Sequence, residues 1–536
     1  MYQRKLEKDI RCPLEYGMEI FGGKWNSRII CVLATLGTPR YSELRKKMGN
    51  ITDAVLVTAL KGLIANGIVA RKSYDEIPPR VEYSLTEKGA SVVPILQSIC
   101  QWAGVFYKDA GVNAHDTMSE MRPSLKKKGA ITMTYNFDEI IDRRHTNALN
   151  TDGFRGYIFH AGPEKVFPYK DEEFVRMWVA DMEFGVAPEI LDALRGRIDR
   201  RIFGYTGLYD DEYYSAFSKW CKDHYDWGFP QEQLCVTPGI IPALYQLTET
   251  LCTRDEKVLV NTPAYGYFVH AAEYAGVGVL TSPLHKKADG TFEMDFEDFE
   301  KKCADPACKL VFWCNPQNPT GRMWTEEELR RAGEIMRKYN LWVVSDEIHC
   351  DLIRCGRRHI PMAKVMGDYP KLITCMAPSK TFNLAGLAFS NIIIRDKALR
   401  DRFKDRDKLF GMVNPMSLTA AKAAYEHGGA WHEALKAYLD GNFAFVKEFL
   451  ARELPEAVMY IPEATYLAWV DLGKCLPETT DLPDFFANKA GVLLEGGNGL
   501  FVGNAAGYIR LNLAMPRSII QTGLARMVEA IRKEQA

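Results

Sequence analysis

Leu372-Ile373-Thr374-Cys375-Met376-Ala377-Pro378-Ser379-Lys380-Thr381-Phe382-Asn383 is the stretch that decides the fold. Its first half is an apolar run of strand length, and Pro378 ends it. A lysine just past a buried strand, and just ahead of Leu384-Ala385-Gly386-Leu387, is badly placed for an ordinary solvated side chain. The same design recurs outward from it. Leu341-Trp342-Val343-Val344-Ser345 runs into Asp346-Glu347-Ile348-His349, and residues 310–314 run into Asn315-Pro316-Gln317-Asn318-Pro319-Thr320-Gly321-Arg322. Further strand-like runs at 257–260 and 391–394 alternate with helical stretches. That alternation predicts an α/β body with a mostly parallel sheet over the long C-terminal part of the chain.

The chain has 536 residues, too many for one typical core, so two or three domains are expected. Apolar residues make up 47% and charged residues 26%, the balance of a soluble globular protein. No apolar run reaches the ~18 residues of a membrane span. Residues 1–11 are charged and lack the apolar stretch of a secretory signal. The 13 cysteines are scattered without a CxxC pair, which argues against a disulfide scaffold or a zinc site and for a reducing cytoplasm. The net charge of −1 hides an asymmetry. Residues 1–130 carry 20 Lys and Arg against 13 Asp and Glu, whereas the remainder carries 48 against 56. A basic head on an acidic body points to a polyanionic partner for the head.

In that head, Tyr41-Ser42-Glu43-Leu44-Arg45-Lys46-Lys47-Met48 reads as a short helix and Gly49-Asn50 as a turn. A second helix follows, with Val55, Leu56, Leu60, Leu63 and Ile64 at helical spacing and Thr52 or Asp53 as its cap. Ile68-Val69-Ala70-Arg71-Lys72 and Arg80-Val81-Glu82-Tyr83-Ser84-Leu85 read as strands joined by a tip at Asp75-Glu76-Ile77-Pro78-Pro79. This hairpin behind a recognition helix is a wing. The segment Cys12-Pro13, Gly23-Lys24-Trp25, Tyr41-Ser42-Glu43-Leu44, Gly67-Ile68-Val69 and Tyr83-Ser84-Leu85-Thr86-Glu87-Lys88-Gly89 resembles the HxlR family of winged-helix regulators over about residues 10–106. The resemblance implies a dimer that sets recognition helices into successive major grooves of double-stranded DNA. Arg71, Lys72 and Arg80 on the wing, and Lys61 on the recognition helix, become the candidate DNA contacts. The recognition helix offers few readers of base edges, and dimerisation alone is the competing role for this module. Cys12 resembles the cysteine that some members use to sense oxidants, and a small buried hydrophobe is its ordinary alternative.

The remaining motifs match the needs of pyridoxal-phosphate (PLP) chemistry. Lys380 is the candidate Schiff-base lysine. Asp346, at the end of a buried strand, is the candidate partner of a protonated pyridine nitrogen, or otherwise a helix cap. Asn318, in its paired Asn-Pro turn, is the candidate donor to the ring phenolate oxygen. Gly239, Ile240 and Ile241 follow Leu234-Cys235-Val236-Thr237-Pro238, and strand, glycine, helix is a geometry that offers backbone N–H groups to a phosphate. Tyr265, in Thr262-Pro263-Ala264-Tyr265-Gly266, is the candidate ring cover and Tyr205 a candidate phosphate ligand; either could equally be a core aromatic. Ser379 is a further candidate cofactor contact. Arg510, in Gly507-Tyr508-Ile509-Arg510-Leu511-Asn512, suits a substrate carboxylate, with an internal salt bridge as the alternative.

Together these residues resemble fold-type I PLP enzymes, aminotransferase class I/II, over about residues 135–533. Met177-Trp178-Val179-Ala180-Asp181-Met182-Glu183-Phe184, Ser345-Asp346-Glu347-Ile348-His349, Ala377-Pro378-Ser379-Lys380-Thr381-Phe382-Asn383 and Pro462-Glu463-Ala464-Thr465-Tyr466-Leu467-Ala468-Trp469 are similar to the MalY/PatB cystathionine β-lyases, the cysteine-S-conjugate β-lyases. Two positions depart from that pattern: Gln317 stands where the lyases usually have His, and Ala377 where the family often has Ser. The resemblance implies a homodimer in which Tyr205 reaches the neighbouring subunit's phosphate. The helical periodicity of 1–108 marks an N-terminal domain and the Gly111, Asn113, Pro123 and Gly129 of 109–132 a linker; the expected enzyme body has a small domain built from 133–180 and 425–536 and a large PLP-binding domain over 181–424. The expected activity is β-elimination from cystathionine or a related cysteine S-conjugate, yielding a thiol, pyruvate and ammonia. Lys380, Asp346 and Tyr265 are the expected catalytic groups, with no metal. An aminotransferase shares the early steps and stays open, as does a transcriptional regulator whose PLP domain senses an amino acid or PLP.

Overall fold

The computed structural model describes residues 12–76, 80–106, 135–407 and 412–536, and the chain divides into two compact units, Met1–Thr132 and Met133–Ala536. The linker expected over 109–132 and the tip residues Ile77, Pro78 and Pro79 lie outside the described residues.

The first unit runs α1 (Pro13–Phe21), α2 (Asn26–Leu36), α3 (Tyr41–Met48), α4 (Asp53–Ala65), β1 (Val69–Tyr74), β2 (Arg80–Leu85) and α5 (Glu87–Phe106). Leu56, Leu60 and Leu63 recur along one face of α4 and are buried with Ile29, Ile30 and Leu33 of α2 and Leu44 and Met48 of α3. Between α3 and α4 the axis turns by 113°. Gly49 makes that turn at φ +67°, a conformation that glycine adopts without a Cβ penalty. β1 and β2 pair antiparallel from Val69↔Leu85 to Tyr74↔Arg80, so the expected wing is present. The expected cap is not. Thr52 occupies the N-cap position without a side-chain cap bond. The Asp53 carboxylate instead accepts from the Tyr41 hydroxyl at 2.9 Å and the Arg45 Nε at 3.2 Å, which ties α4 back to α3.

The second unit is built on a seven-stranded sheet. Its spatial order is Leu234–Thr237, Ser390–Ile394, Leu372–Met376, Trp342–Asp346, Cys308–Cys314, Lys257–Thr262 and Gly278–Pro283. Only Ser390–Ile394 runs against its neighbours. The central strands read as continuous apolar runs because both faces are covered; Val311, Val343, Val344, Ile373 and Cys375 are each fully buried. The strands expected at 257–260, 310–314, 341–344, 372–376 and 391–394 are all present, while Gly278–Pro283 was not expected. A second sheet, Leu467–Asp471, Tyr508–Asn512 and Glu495–Gly496, is antiparallel throughout. Helices Gly429–Glu453 and Arg517–Gln535 contribute to the core behind it through Phe443, Val446, Leu524 and Val528. Among the described residues no single helix is long and apolar enough to cross a membrane.

Parallel strands deliver all their carboxyl ends to one edge of a sheet, and open α/β folds bind ligands there. Thr237, Thr262, Cys314, Asp346 and Met376 end their strands at that edge, so the motifs of Gly239, Tyr265, Asn318, Asp346 and Lys380 enter one region.

Candidate active site

Strand Leu372–Met376 passes through Ala377 into a short helix, Pro378–Thr381, and this helix carries Lys380. Two neighbours fix it. The Thr381 hydroxyl donates to the buried Asp351 carboxylate at 2.7 Å, and the same carboxylate accepts from the Trp220 indole at 2.8 Å. Such charge-assisted bonds contribute about 1.5–3 kcal/mol each. Asn383 adopts φ +57°, which asparagine tolerates, and its side chain spans the Met182 N–H and the Met182 and Phe184 carbonyls at 3.0–3.2 Å. The lysine Nζ donates to the Ala180 carbonyl at 2.6 Å. That carbonyl also accepts from the Tyr466 hydroxyl at 2.9 Å. The Asn512 side chain donates to the Val179 and Asp181 carbonyls on either side. Burial lowers the Lys380 amine to about 8, against the raising effect of the Asp181, Glu495 and Asp346 carboxylates; Arg510 assists the lowering.

Asp346 ends strand Trp342–Asp346 and is buried, with its Oδ1 accepting from the Ile348 N–H at 3.2 Å. Burial raises this carboxyl to about 7, with Glu347 adding to the rise and Lys380 opposing it. The alternative of a helix cap falls away, since a turn and a short 3-10 segment, Cys350–Leu352, follow. The adjoining Glu347 faces the opposite way: it accepts from the Ser345 hydroxyl, the Met362 N–H and the His359 ring within 2.6–2.9 Å. Asn318 is buried beside Arg510, whose Nη1 donates to its Oδ1 at 3.3 Å. Gln317 explains its own departure from the lyase pattern. Its amide donates to the Pro263 carbonyl at 2.6 Å and its Oε1 accepts from the Thr320 N–H at 2.9 Å. It thereby fastens the Asn-Pro turn to the segment that carries Tyr265.

Arg510 sits on the central strand of the second sheet and is 2% exposed. The salt-bridge alternative is realised: Glu495, directly opposite on the neighbouring strand, accepts from Nη2. The Arg510 Nε is buried with no hydrogen-bond partner, so the guanidinium keeps a donor to offer. His349 lies in the field of both Lys380 and Arg510. Burial first, then those two cations, lower it to about 3, so its ring is neutral. Its Nδ1 is likewise buried and without a partner. Burial raises Tyr265, and both Glu495 and Arg510 act on it, which brings it into the same group.

Gly239 caps helix Ile240–Leu251 after strand Leu234–Thr237, giving the expected strand, glycine, helix order. The first N–H groups of that helix have no acceptor within it. Ser379 is half-buried beside Lys380. Tyr205 stands apart. It is 93% exposed, in a segment where Ile202, Phe203 and Tyr209 are exposed as well.

These residues fit PLP. A buried carboxylate at the end of a strand lacks a cation that a pyridinium would supply, and a partly buried lysine has a lowered pKa. A helix N-terminus lies on the same sheet edge, and two buried nitrogens have no partner. Glu495, His349 and Tyr466 join the site without a role expected from their motifs. His349 and Tyr466 stood inside quoted motifs. Glu495 carried the signal used for Asp346, an acid that ends an apolar run, Val492-Leu493-Leu494.

In the first unit Lys61, Arg71 and Lys72 are exposed. Arg80 is half-buried, pairs with Glu76 at 3.1 Å and Glu82 at 3.4 Å, and lies over the Tyr74 ring at 3.9 Å. Its charge is already engaged inside the wing, unlike that of Arg71. Cys12 is exposed, which removes the buried-hydrophobe alternative. Among the described residues Cys12, Cys221, Cys350 and Cys375 are free thiols.

A family model described as aminotransferase class I and II matches residues 173–527, and one described as HxlR-like helix-turn-helix matches residues 20–110. Cystathionine beta-lyase PatB of Bacillus subtilis is 37% identical over 400 residues, covering 74% of this chain and all of PatB. The crystal structure of the PLP-bound C-S lyase from Staphylococcus hominis superposes with a TM-score of 0.71 at 45% identity, covering 75% of this chain and all of that one. The HTH-type transcriptional regulator YkvN of Bacillus subtilis is 44% identical over 99 residues, covering 18% of this chain and 83% of that protein. The chain therefore belongs to the PLP-dependent aminotransferase class I and II family, among relatives of the C–S lyases, and carries an HxlR-like helix-turn-helix domain ahead of its enzyme body.

Proposed function

We propose that the second unit is a carbon–sulfur β-lyase that acts on cystathionine or a related cysteine S-conjugate and releases a thiol, pyruvate and ammonia. The observation that carries this reading is that Asp346, at the end of a strand of the large sheet, and Arg510, on the second sheet, converge on Lys380, whose amine feels both charges. PLP, when bound, supplies an aldehyde that takes the substrate amine and a ring that draws electrons from the α-carbon. Around it the chain's own groups divide the work. Arg510 holds the substrate carboxylate with a donor that has no other partner. Asp346 would keep the ring nitrogen protonated, Asn318 would donate to the ring oxygen, Tyr265 would cover the ring, and Gly239, Ile240, Ile241 and Ser379 would hold the phosphate. Lys380, with its amine lowered to about 8, has a neutral fraction near neutrality and takes the α-proton on Nζ. The β-thiolate then leaves.

The exposed Tyr205 supports a homodimer in which this tyrosine reaches the neighbouring subunit's phosphate. The body then divides into a small domain from 133–180 and 425–536 and a large one over 181–424, joined to the head through 109–132. Exposed Lys61, Arg71 and Lys72 support binding of double-stranded DNA by the head. Free thiols such as Cys221 and Cys375 fit a cytoplasmic protein. The test of the enzyme reading is direct. Purified holoprotein given cystathionine should release pyruvate without any keto-acid acceptor. Transfer of the amino group that requires an acceptor, without pyruvate, would replace the lyase by an aminotransferase. Neither reaction would leave a ligand-sensing regulator.

A further inference from the structure

Arg510 is the site's carboxylate-binding group, yet a carboxylate is already on it. Glu495 and Arg510 are register partners across an antiparallel pair, each is 2% exposed, and Glu495 accepts from Nη2. A substrate carboxylate arriving at the same guanidinium would place two anions on one buried cation. That arrangement leaves a net negative charge out of water, and like-charged carboxylates at one site cannot both stay ionised cheaply.

We propose that Glu495 is the positioning residue of Arg510 and that it takes up a proton, released to the solvent by a buffer acid, when a substrate carboxylate binds. Its carboxylate holds the guanidinium in the resting site. On binding it becomes a neutral carboxylic acid, one O–H bond being formed, and the substrate anion takes the charge of Arg510. The groups that face Glu495 leave it this course. Arg510 from the central strand and Lys380 from the short helix are the cations acting on it. Tyr157, from helix Phe154–Phe159, and Tyr265, from strand Ala264–Tyr265, have their phenols raised first by burial, with Glu495 adding to the rise, and bring no charge. Helix Leu482–Ala490 buries only apolar side chains, Leu482, Phe486, Ala487 and Ala490. Burial already raises Glu495 to about 7, against the pull of Arg510 and Lys380, so a second anion moves it further upward. Above about pH 7, then, binding must recruit the proton, and carboxylate affinity falls as pH rises.

The inference rests on the assignment of Arg510 above, which pyruvate release from cystathionine tests separately. The probe is 3-(methylthio)propionate, a carboxylate without an amine, so no chemistry at the cofactor contributes to the signal. Holoenzyme is titrated with it calorimetrically in phosphate and in Tris at one pH above neutrality. The difference in heat between the two buffers should correspond to one proton taken up per site, with the dissociation constant rising roughly tenfold per pH unit. Glu495→Gln should still bind the probe, with no proton uptake and a flat pH profile. Wild type that binds without proton uptake, or Glu495→Gln with an unchanged slope, overturns the proposal. Absence of any probe binding to wild type overturns it too, while the lyase assay reports independently on the enzyme reading.

Discussion

The Nζ of Lys380 donates a 2.6 Å hydrogen bond to the carbonyl of Ala180, a residue far upstream in the chain. The bond parks the amine beside Tyr466 and in the field of Asp181, at the meeting point of three motifs. Lys380→Ala should still fold, because Thr381 and Asn383 hold the segment without it. It should lose the borohydride-reducible link to PLP, and pyruvate release should fall by roughly 10²–10⁴-fold. Mass spectrometry of reduced, digested protein checks the first outcome; a cofactor adduct persisting elsewhere in the mutant would remove the assignment.

Asp346→Asn keeps the size of the side chain and removes its charge. PLP should remain bound through the phosphate and Lys380, while kcat falls by roughly 10²–10³-fold because the ring nitrogen is no longer held protonated. Steady-state kinetics beside the cofactor absorption spectrum separate lost binding from lost chemistry.

Asp346 also predicts a pH effect on stability. An acid whose pKa is raised on folding, here from 3.8 to about 7, keeps its proton longer in the native state. The resulting stabilisation is complete below the unfolded value and is lost as pH rises through the folded one. Bound PLP brings a cation to the carboxylate and offsets that loss. The increase in Tm on adding PLP should therefore be larger above about pH 7 than at about pH 4–5, and Asp346→Asn should narrow the gap. Thermal melts of apoprotein with and without PLP provide the measurement.

Gln317→Ala should strip partners from the buried Pro263 carbonyl and Thr320 N–H. Leaving buried groups unpaired costs about 1–3 kcal/mol apiece. Urea unfolding should show a loss of that order. The pyruvate-releasing activity of the folded fraction should fall as well, since the same bonds position Asn318 and Tyr265.

On the wing, Arg71 and Lys72 are exposed whereas Arg80 is held by Glu76, Glu82 and Tyr74. Replacing Arg71 and Lys72 by Glu should weaken DNA binding on every sequence. It should also flatten the salt dependence by roughly 0.9 in log–log slope per lost phosphate contact. Arg80→Ala should instead lower the thermal stability of the head and leave that slope nearly unchanged. Equal slopes in wild type and the Arg71/Lys72 variant would exclude a phosphate-facing role for that strand.

The sequence by itself determined the two-part design, the wing and most strands of the large sheet. It also located Lys380, Asp346 and Arg510 as charged groups inside or just past apolar runs. These are local features. A strand buried on both faces must be apolar along its length, and a charge at its end stands out against that background. What the tertiary structure alone decided was which distant groups meet. Register placed Glu495 against Arg510, and packing brought Ala180 to Lys380 and Asp351 to Thr381. It turned Asp53 toward Tyr41 and Arg45 instead of its own helix end, and bound Arg80 inside the wing. None of these could be read along the chain. A hydrogen bond or a shifted pKa depends on distances of a few ångström between groups that the sequence places from a few to two hundred positions apart, and only the folded backbone sets those distances.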